Sequence, residues 1–488
     1  MRGSRTIGGS ALAVAIAALA TGCTVGPNYV RPPIVAPDAY KENADWKVAE
    51  PRDDALRGSW WELFSDSQLN ALEEQVSISN QGLMAAEATY RQARALVGEA
   101  RAASFPTVTL GIGYARSRQS DTLGNASTSG RTGSNQPVSN FQFPLDVAWT
   151  PDFWGRVRRA VESGQAGAQA SAADVETARL SFQGELALDY FQLRTLDAQK
   201  QLLEDTVAAF NTALTLTRNR YASGVVSRVD VVQAETQLKT TQAQLIEVGV
   251  ARAQTEHAIA LLIGQPASTF SLAPAPLDST PPSIPVGVPS ALLERRPDVA
   301  AAERRMAADN AQIGVAIAAY YPTVTLSLSG GFQSGSISQW FTWPSRFWSV
   351  GPSVTETVYD GGLRRAQTLE ARAAYDASVA TYRQAVLTAF QGVEDNLASL
   401  RILEEQSRVQ DEAVAAAQQS VQLTTNQYKA GTVSYLNVIT VQTIALNNQI
   451  TAVQIQGRRM AAAVQLIQAL GGGWSASGLP SARAVSQP

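Results

Sequence analysis

Cys23 stands in a setting that prescribes a reaction. Arg2 and Arg5 give the start of the chain positive charge, Ala11–Ala20 is a short apolar run, and Ala20-Thr21-Gly22-Cys23 closes it. This order reads as an export signal over 1–22 that ends in a bacterial lipobox, where the thiol is acylated and the cysteine becomes the new N-terminus. Ala20 holds the place usually taken by leucine, with Leu19 one step earlier. Thr24, where an aspartate would hold a lipoprotein back, fits sorting to the outer membrane. Other reactive residues are scarce. One cysteine excludes a disulfide framework, and one histidine leaves no basis for an all-protein zinc site. That histidine, His257, lies in a helical run and reads as a surface or packing residue. No phosphate loop or nucleophile–base pair stands out, and the acids are scattered along helix faces. The reading is therefore of a protein that is not an enzyme and needs no cofactor or metal. A net charge of −3 and a pI near 5.5 lack the basic footprint of a nucleic-acid binder.

The elements that carry these residues occur twice. Phe105-Pro106-Thr107-Val108-Thr109-Leu110 returns as Tyr321-Pro322-Thr323-Val324-Thr325-Leu326, and Ala85-Ala86-Glu87 returns as Ala301-Ala302-Glu303 at the same offset. Further on, Arg158-Arg159-Ala160 matches Arg364-Arg365-Ala366. The turn Tyr221-x-x-Gly224-x-Val226-Ser227 matches Tyr428-x-x-Gly431-x-Val433-Ser434. The chain divides accordingly. A proline-bearing tether at 23–60 leads to a first repeat at 61–270. That repeat holds a helix over 68–103, a β-hairpin at 105–150 and a long helical hairpin at 155–264. A proline-rich crossover at 271–297 joins it to a second repeat at 298–474, with a helix, a β-hairpin at 321–358 and a helical hairpin at 362–470. A tail at 475–488 reads as flexible.

The two kinds of hairpin have different physics. Asp152–Gln265 contains no proline, and Ala, Gln, Thr and Leu dominate it, so helices of roughly 100 Å and 55 Å can form on either side of Gly224. The helix at 68–103 supplies the missing length, so two shorter helices can stack beside one long one. In the β-hairpins, Phe141, Phe143, Leu145, Val147 and Trp149 alternate with Gln142, Pro144, Asp146, Ala148 and Thr150. Period two over about ten residues, with one apolar and one small or polar face, is the pattern of an outer-membrane strand. Residues 118–140 read as an exposed loop. Trp340, Phe341, Trp343, Phe347 and Trp348 form either an interfacial girdle or a packed aromatic patch. Glu356 interrupts the alternation of the last expected strand, 347–358. No other segment offers about 20 consecutive apolar residues, so strands are left to cross a membrane. Four strands per chain are too few for a barrel, which requires oligomerisation.

Several motifs together resemble the TolC/OprM-like outer membrane efflux family, in its NodT-type lipoprotein branch. They are Cys23-x-x-Gly26-Pro27-x-Tyr29, Trp60-Trp61-x-x-Phe64-x-Asp66, Arg295-Arg296-Pro297-Asp298, Gly351-Pro352-Ser353, Asp360-Gly361-Gly362 and the paired turns. The resemblance covers nearly all of the mature chain. It implies a mixed α and β membrane protein, a homotrimer with a 12-stranded β-barrel continued by a 12-helix α-barrel and an equatorial belt. It implies an exit duct for drugs or other small toxic molecules, lipid-anchored in the outer membrane, with a periplasmic adaptor and an inner-membrane transporter of the RND type as partners. The same fold serving type I protein secretion, and a poreless trimeric coiled-coil surface lipoprotein, stay open at this point. Gly224, Val225, Val226 and Ser227, with Gly431, Thr432, Val433 and Ser434, resemble the family's adaptor-contact tips. The family places its periplasmic aperture just beyond them, at Asp230, Leu436, Asn437 and Thr440. Asn437 and Thr440 stand where many relatives carry aspartates, which removes one acidic ring.

Overall fold

The computed structural model describes residues 24–34, 37, 39–43, 58–118, 137–277, 280–284 and 292–487. The signal, Cys23 and most of the 118–140 loop lie outside the described residues. Among these residues, seven helices longer than ten residues make the body. In chain order they are α1 (Ser67–Ser79), α2 (Gln81–Ala102), α3 (Arg156–Ala222), α4 (Arg228–Leu262), α5 (Pro297–Ala318), α6 (Leu363–Lys429) and α7 (Tyr435–Ala469). α3 and α6 hold 67 residues each, about 100 Å of unbroken helix. Among the described residues no helix is both long and apolar enough to cross a membrane.

The single helix expected over 68–103 is two helices. Asn80 turns extended between them, and its Oδ1 accepts the Leu83 N–H at 2.8 Å as the cap of α2. Its Nδ2 donates to the Leu262 carbonyl at 2.7 Å, and Ser79 Oγ donates to the Ile263 carbonyl at 2.6 Å. The break therefore sits where the end of α4 arrives, and it satisfies carbonyls that the end of that helix leaves open. The second copy repeats the joint with other residues. Arg296 is extended at the start of α5 and donates through Nη1 to the Ala469 carbonyl at 2.9 Å. Each long helix is thus flanked by shorter ones stacked end to end.

A large apolar cluster surrounds these joints, with Trp60, Phe64, Leu69, Leu186, Phe191, Tyr382, Val393, Met460 and Ile467 at its centre. The described part of the segment expected as an extended tether, 24–34 and 39–43, lies along the body. Tyr29 donates to Glu303 at 2.6 Å, Arg31 donates to the Tyr382 hydroxyl at 2.8 Å, and Glu394 accepts the Lys41 N–H at 2.8 Å. The tail at 475–488, expected to be flexible, is a correction. Val485 is buried against Val97 and Ala168, and Gln169 donates to the Pro480 carbonyl at 2.9 Å. Arg94 and Arg101 donate to the Gln487 and Ser486 carbonyls. Its polar composition hid one apolar anchor and a set of backbone acceptors that these side chains reach.

Glu73 of α1 is 0% exposed, and among the described residues neither of its carboxyl oxygens has a hydrogen-bond partner. Burial pushes this carboxyl well above the usual range. A raised folded value means the folded state holds the proton more tightly. The associated stability is present at low pH and declines as pH rises through the raised value. Glu73→Gln should raise the thermal midpoint at pH 8 and leave it nearly unchanged at pH 4. Equal shifts at the two pH values would show that the carboxyl is not held neutral.

The strands are β1 (Thr107–Leu110), β2 (Gly113–Ser117), β3 (Val138–Trp149), β4 (Thr323–Ser334) and β5 (Arg346–Thr355). β1 and β2 are one strand in a single register against β3, interrupted opposite Pro144, which has no N–H to give. The hairpins of the two repeats join through antiparallel β3 and β4 into one sheet. Its register sorts the side chains by face. Val108, Val147, Leu328 and Val350 lie in one cross-strand row, and Thr109, Asp146, Ser329 and Ser349 in the next. Ser329 Oγ donates to Asp146 Oδ1 at 2.5 Å within the polar row. Glu356 lies just past the end of β5, so it does not interrupt the ladder. Trp340 and Phe341 stack on each other at 4.8 Å and pack on Phe141, Phe143 and Phe332. Trp343 and Trp348 remain exposed.

Candidate aperture and docking tips

Both helical hairpins end in the same turn. The Gly224 N–H reaches the Tyr221 carbonyl and the Val225 N–H reaches back to the Arg220 carbonyl, each at 2.9 Å. In the second hairpin the Gly431 N–H reaches Tyr428 and the Thr432 N–H reaches Gln427, each at 3.0 Å. This paired closure is a Schellman motif, and it needs a left-handed residue after the helix. Gly224 at φ +69° and Gly431 at φ +79° provide it. Ser227 and Ser434 then stand as N-caps of α4 and α7.

The tips share a small core of their own. Phe210, Leu214, Ala234 and Leu238 from the first hairpin meet Tyr428, Tyr435 and Val438 from the second. Val226 and Val433 pack against this core. Of the eight expected tip residues, these two valines turn inward, while Val225 and Thr432 are exposed, the Thr432 hydroxyl donating back to the Gln427 carbonyl at 3.0 Å. Arg220 ties the hairpins together. Its Nη1 donates to the Tyr428 carbonyl at 3.1 Å, and its guanidinium lies 4.6 Å from the centre of the Tyr428 ring. Burial, then the neighbouring Tyr428 hydroxyl, pushes Tyr435 up to about 12.

Leu436, Asn437 and Thr440 share one exposed face of α7, opposite the buried Tyr435 and Val438. Leu436 is 55% exposed, so its apolar side chain is left largely uncovered by the described residues. Thr440 Oγ1 donates to the Leu436 carbonyl at 2.9 Å. Asp230 lies on the other hairpin, half-buried, and has local work. Its carboxylate accepts the Ser227 N–H at 3.2 Å while Ser227 Oγ accepts the Asp230 N–H at 3.4 Å, a reciprocal capping box. Asn437 is its counterpart in the second repeat. It accepts from Ser434 Oγ at 3.0 Å, and no side-chain cap forms there. Sequence reasoning missed Arg220. The available signal was an asymmetry between matched turns, because the second repeat has Gln427 at that place.

A profile of the outer membrane efflux protein family matches residues 72–265 and 288–472. The pyoverdine export outer membrane protein OpmQ of Pseudomonas aeruginosa is 31% identical over 435 residues, covering 88% of this chain and 91% of that protein. The solvent efflux pump outer membrane protein SrpC of Pseudomonas putida is 31% identical over 464 residues, covering 93% and 96%. Among solved structures, the outer-membrane channel OprN superposes with a TM-score of 0.84 at 32% identity, covering 93% of this chain and all of that one. Matched across both repeats and in overall shape, the chain belongs to the outer membrane efflux protein family.

Proposed function

We propose that three copies of this chain close into a duct that carries small molecules across the outer membrane, with the helical hairpins extending as a tube into the periplasm. The carrying observation is the sheet. One face is an apolar row exposed on the chain, the other is small and polar, and among the described residues β1–β2 at one edge and β5 at the other have no further partner. Open edges and unpaired N–H groups are not tolerated in lipid, and a four-strand sheet cannot close on itself. Three copies give a barrel of twelve strands with a polar lumen. A poreless coiled coil would need a continuous apolar seam instead.

The chain is the outer-membrane member of a tripartite efflux pump. An adaptor seated at Val225 and Thr432, and an inner-membrane transporter of the RND type behind it, complete the pathway in this reading. The printed functions of OpmQ and SrpC, pyoverdine export and solvent efflux, favour a small-molecule cargo over a secreted protein. Acylated Cys23 would anchor the segment that runs along α5 to the membrane.

Single-channel recording in a planar bilayer tests the duct. The purified protein should conduct weakly alone and severalfold more with its adaptor present. Absence of conductance under both conditions would overturn the reading. Native mass spectrometry of the same preparation should give three chains, each with acyl groups on Cys23. A monomer, or an unmodified cysteine, would overturn the assembly or the anchor respectively.

A further inference from the structure

Arg159 and Arg365 hold matching places in the two repeats, and among the described residues only Arg159 has an occupant. Their neighbours fix the correspondence. Arg158 donates through Nε to Asp152 at 3.3 Å, and Arg364 donates through Nε to Asp360 at 2.6 Å. The next residue differs sharply. Arg159 is buried and donates to the Val25 carbonyl at 3.2 Å, the Gly26 carbonyl at 3.3 Å and Asn28 Oδ1 at 2.9 Å. Glu162 neutralises it at 2.8 Å. Gly26 crosses α5 at Gly314 so closely that a Cβ on it would lie 2.5 Å from the Gly314 Cα. The N-terminal segment therefore fills a notch between α3 and α5.

In the second repeat the same parts are present without the filler. Arg365 is exposed and has no partner among the described residues. Thr368 stands where Glu162 would neutralise it. Gly98, which matches Gly314 at the offset of the duplicated strands, has nothing within 4 Å of where a Cβ would be. A chain has two such helix pairs and only one N-terminal segment. On the three-copy reading above, α2 of one copy meets α6 of the next, and this junction repeats the notch with none of the described residues to fill it.

We propose that this second notch, between Arg365 and the Gly98 of the adjoining copy, holds the phosphate of an anionic phospholipid in the inner leaflet of the outer membrane. Height and charge both support the assignment. α6 begins just after β5 ends, at the level where Trp154 stacks on Tyr321 at 4.8 Å and Arg364 lies 5.4 Å from the centre of the Tyr320 ring. Aromatic side chains of this kind mark the headgroup zone. The first turn of α6 carries Arg364 and Arg365 and no acidic residue, which sets cations at the positive end of a helix dipole. Asp360 answers Arg364. An external anion answers Arg365, and a guanidinium fork matches a phosphate in two-pronged fashion.

Native mass spectrometry of the full chain, incubated with phosphatidylglycerol or phosphatidylcholine, tests this. Wild type should retain phosphatidylglycerol in preference, one per protomer. Arg365→Gln should weaken retention about tenfold, the size of one charge-assisted hydrogen bond, and Arg365→Lys by less. Gly98→Leu should block retention by filling the notch without changing charge, and the protein mass reports separately whether three copies assemble. Equal retention of the two lipids, no effect of Arg365→Gln, or full displacement by millimolar inorganic phosphate would overturn the proposal.

Discussion

Asp197→Ala is expected to destabilise the protein by about 3–5 kcal/mol, the cost of leaving the buried Arg194 without its counter-charge. Asp197 is buried between two arginines. Its Oδ2 accepts from Arg194 Nη1 at 2.9 Å and its Oδ1 from Arg252 Nε at 2.6 Å. The carboxylate also accepts the Ala275 N–H at 3.2 Å, while Arg194 and Arg252 donate to the Ala273 and Leu272 carbonyls at 2.9 and 2.6 Å. Glu256 takes the Leu272 N–H at 2.6 Å. The network thus holds the start of the crossover against α3 and α4. Its removal exposes a fault in the link between repeats as well as an unpaired charge. Thermal and urea unfolding followed by circular dichroism measure the loss. Replacing Arg194, Asp197 and Arg252 together with Met, Leu and Met should recover much of it, because the desolvation penalty goes with the charges. A loss below about 1 kcal/mol for Asp197→Ala would place the hold on the crossover in its apolar contacts instead.

How much of this was legible in the sequence depends on how local the cause is. The long helices run where proline is absent, and the first strand and β5 end within a few residues of where alternation stops. The apolar and polar rows of the sheet follow from period two alone. The break at Asn80 was not legible, because its cause is the arrival of Ile263 from a helix far along the chain. The docked tail escaped for the same reason, since its partners Arg94 and Gln169 are distant in sequence. At the tips, the turn was written in Gly224 and Gly431, but the capping work of Asp230 depends on side-chain geometry. The bond from Arg220 crosses between repeats, and its one trace in the sequence is the arginine that stands where the matched turn has Gln427.

That bond gives the second large effect. Arg220→Ala is expected to open the resting duct, raising single-channel conductance severalfold in the absence of adaptor. The guanidinium caps the end of α6 at the Tyr428 carbonyl and covers the Tyr428 ring, so it fixes one hairpin against the other. A charged hydrogen bond of this kind contributes about 1.5–3 kcal/mol, enough to shift a closed–open balance about tenfold or more. Tyr428→Phe is the control. The Tyr428 hydroxyl has no hydrogen-bond partner among the described residues, whereas the contacted carbonyl and ring face survive the change, so this variant should stay closed. Leu436→Ala tests whether the expected aperture is closed by an apolar plug. Three copies of this exposed leucine near the axis would form an apolar constriction that resists wetting, and shortening them should also raise conductance. Its exposure means the change should cost little stability. Asn437→Asp adds charge beside it and should raise cation selectivity, most clearly at low salt where screening is weak. Conductance unchanged in both Arg220→Ala and Leu436→Ala would move the closure of the duct away from the hairpin tips.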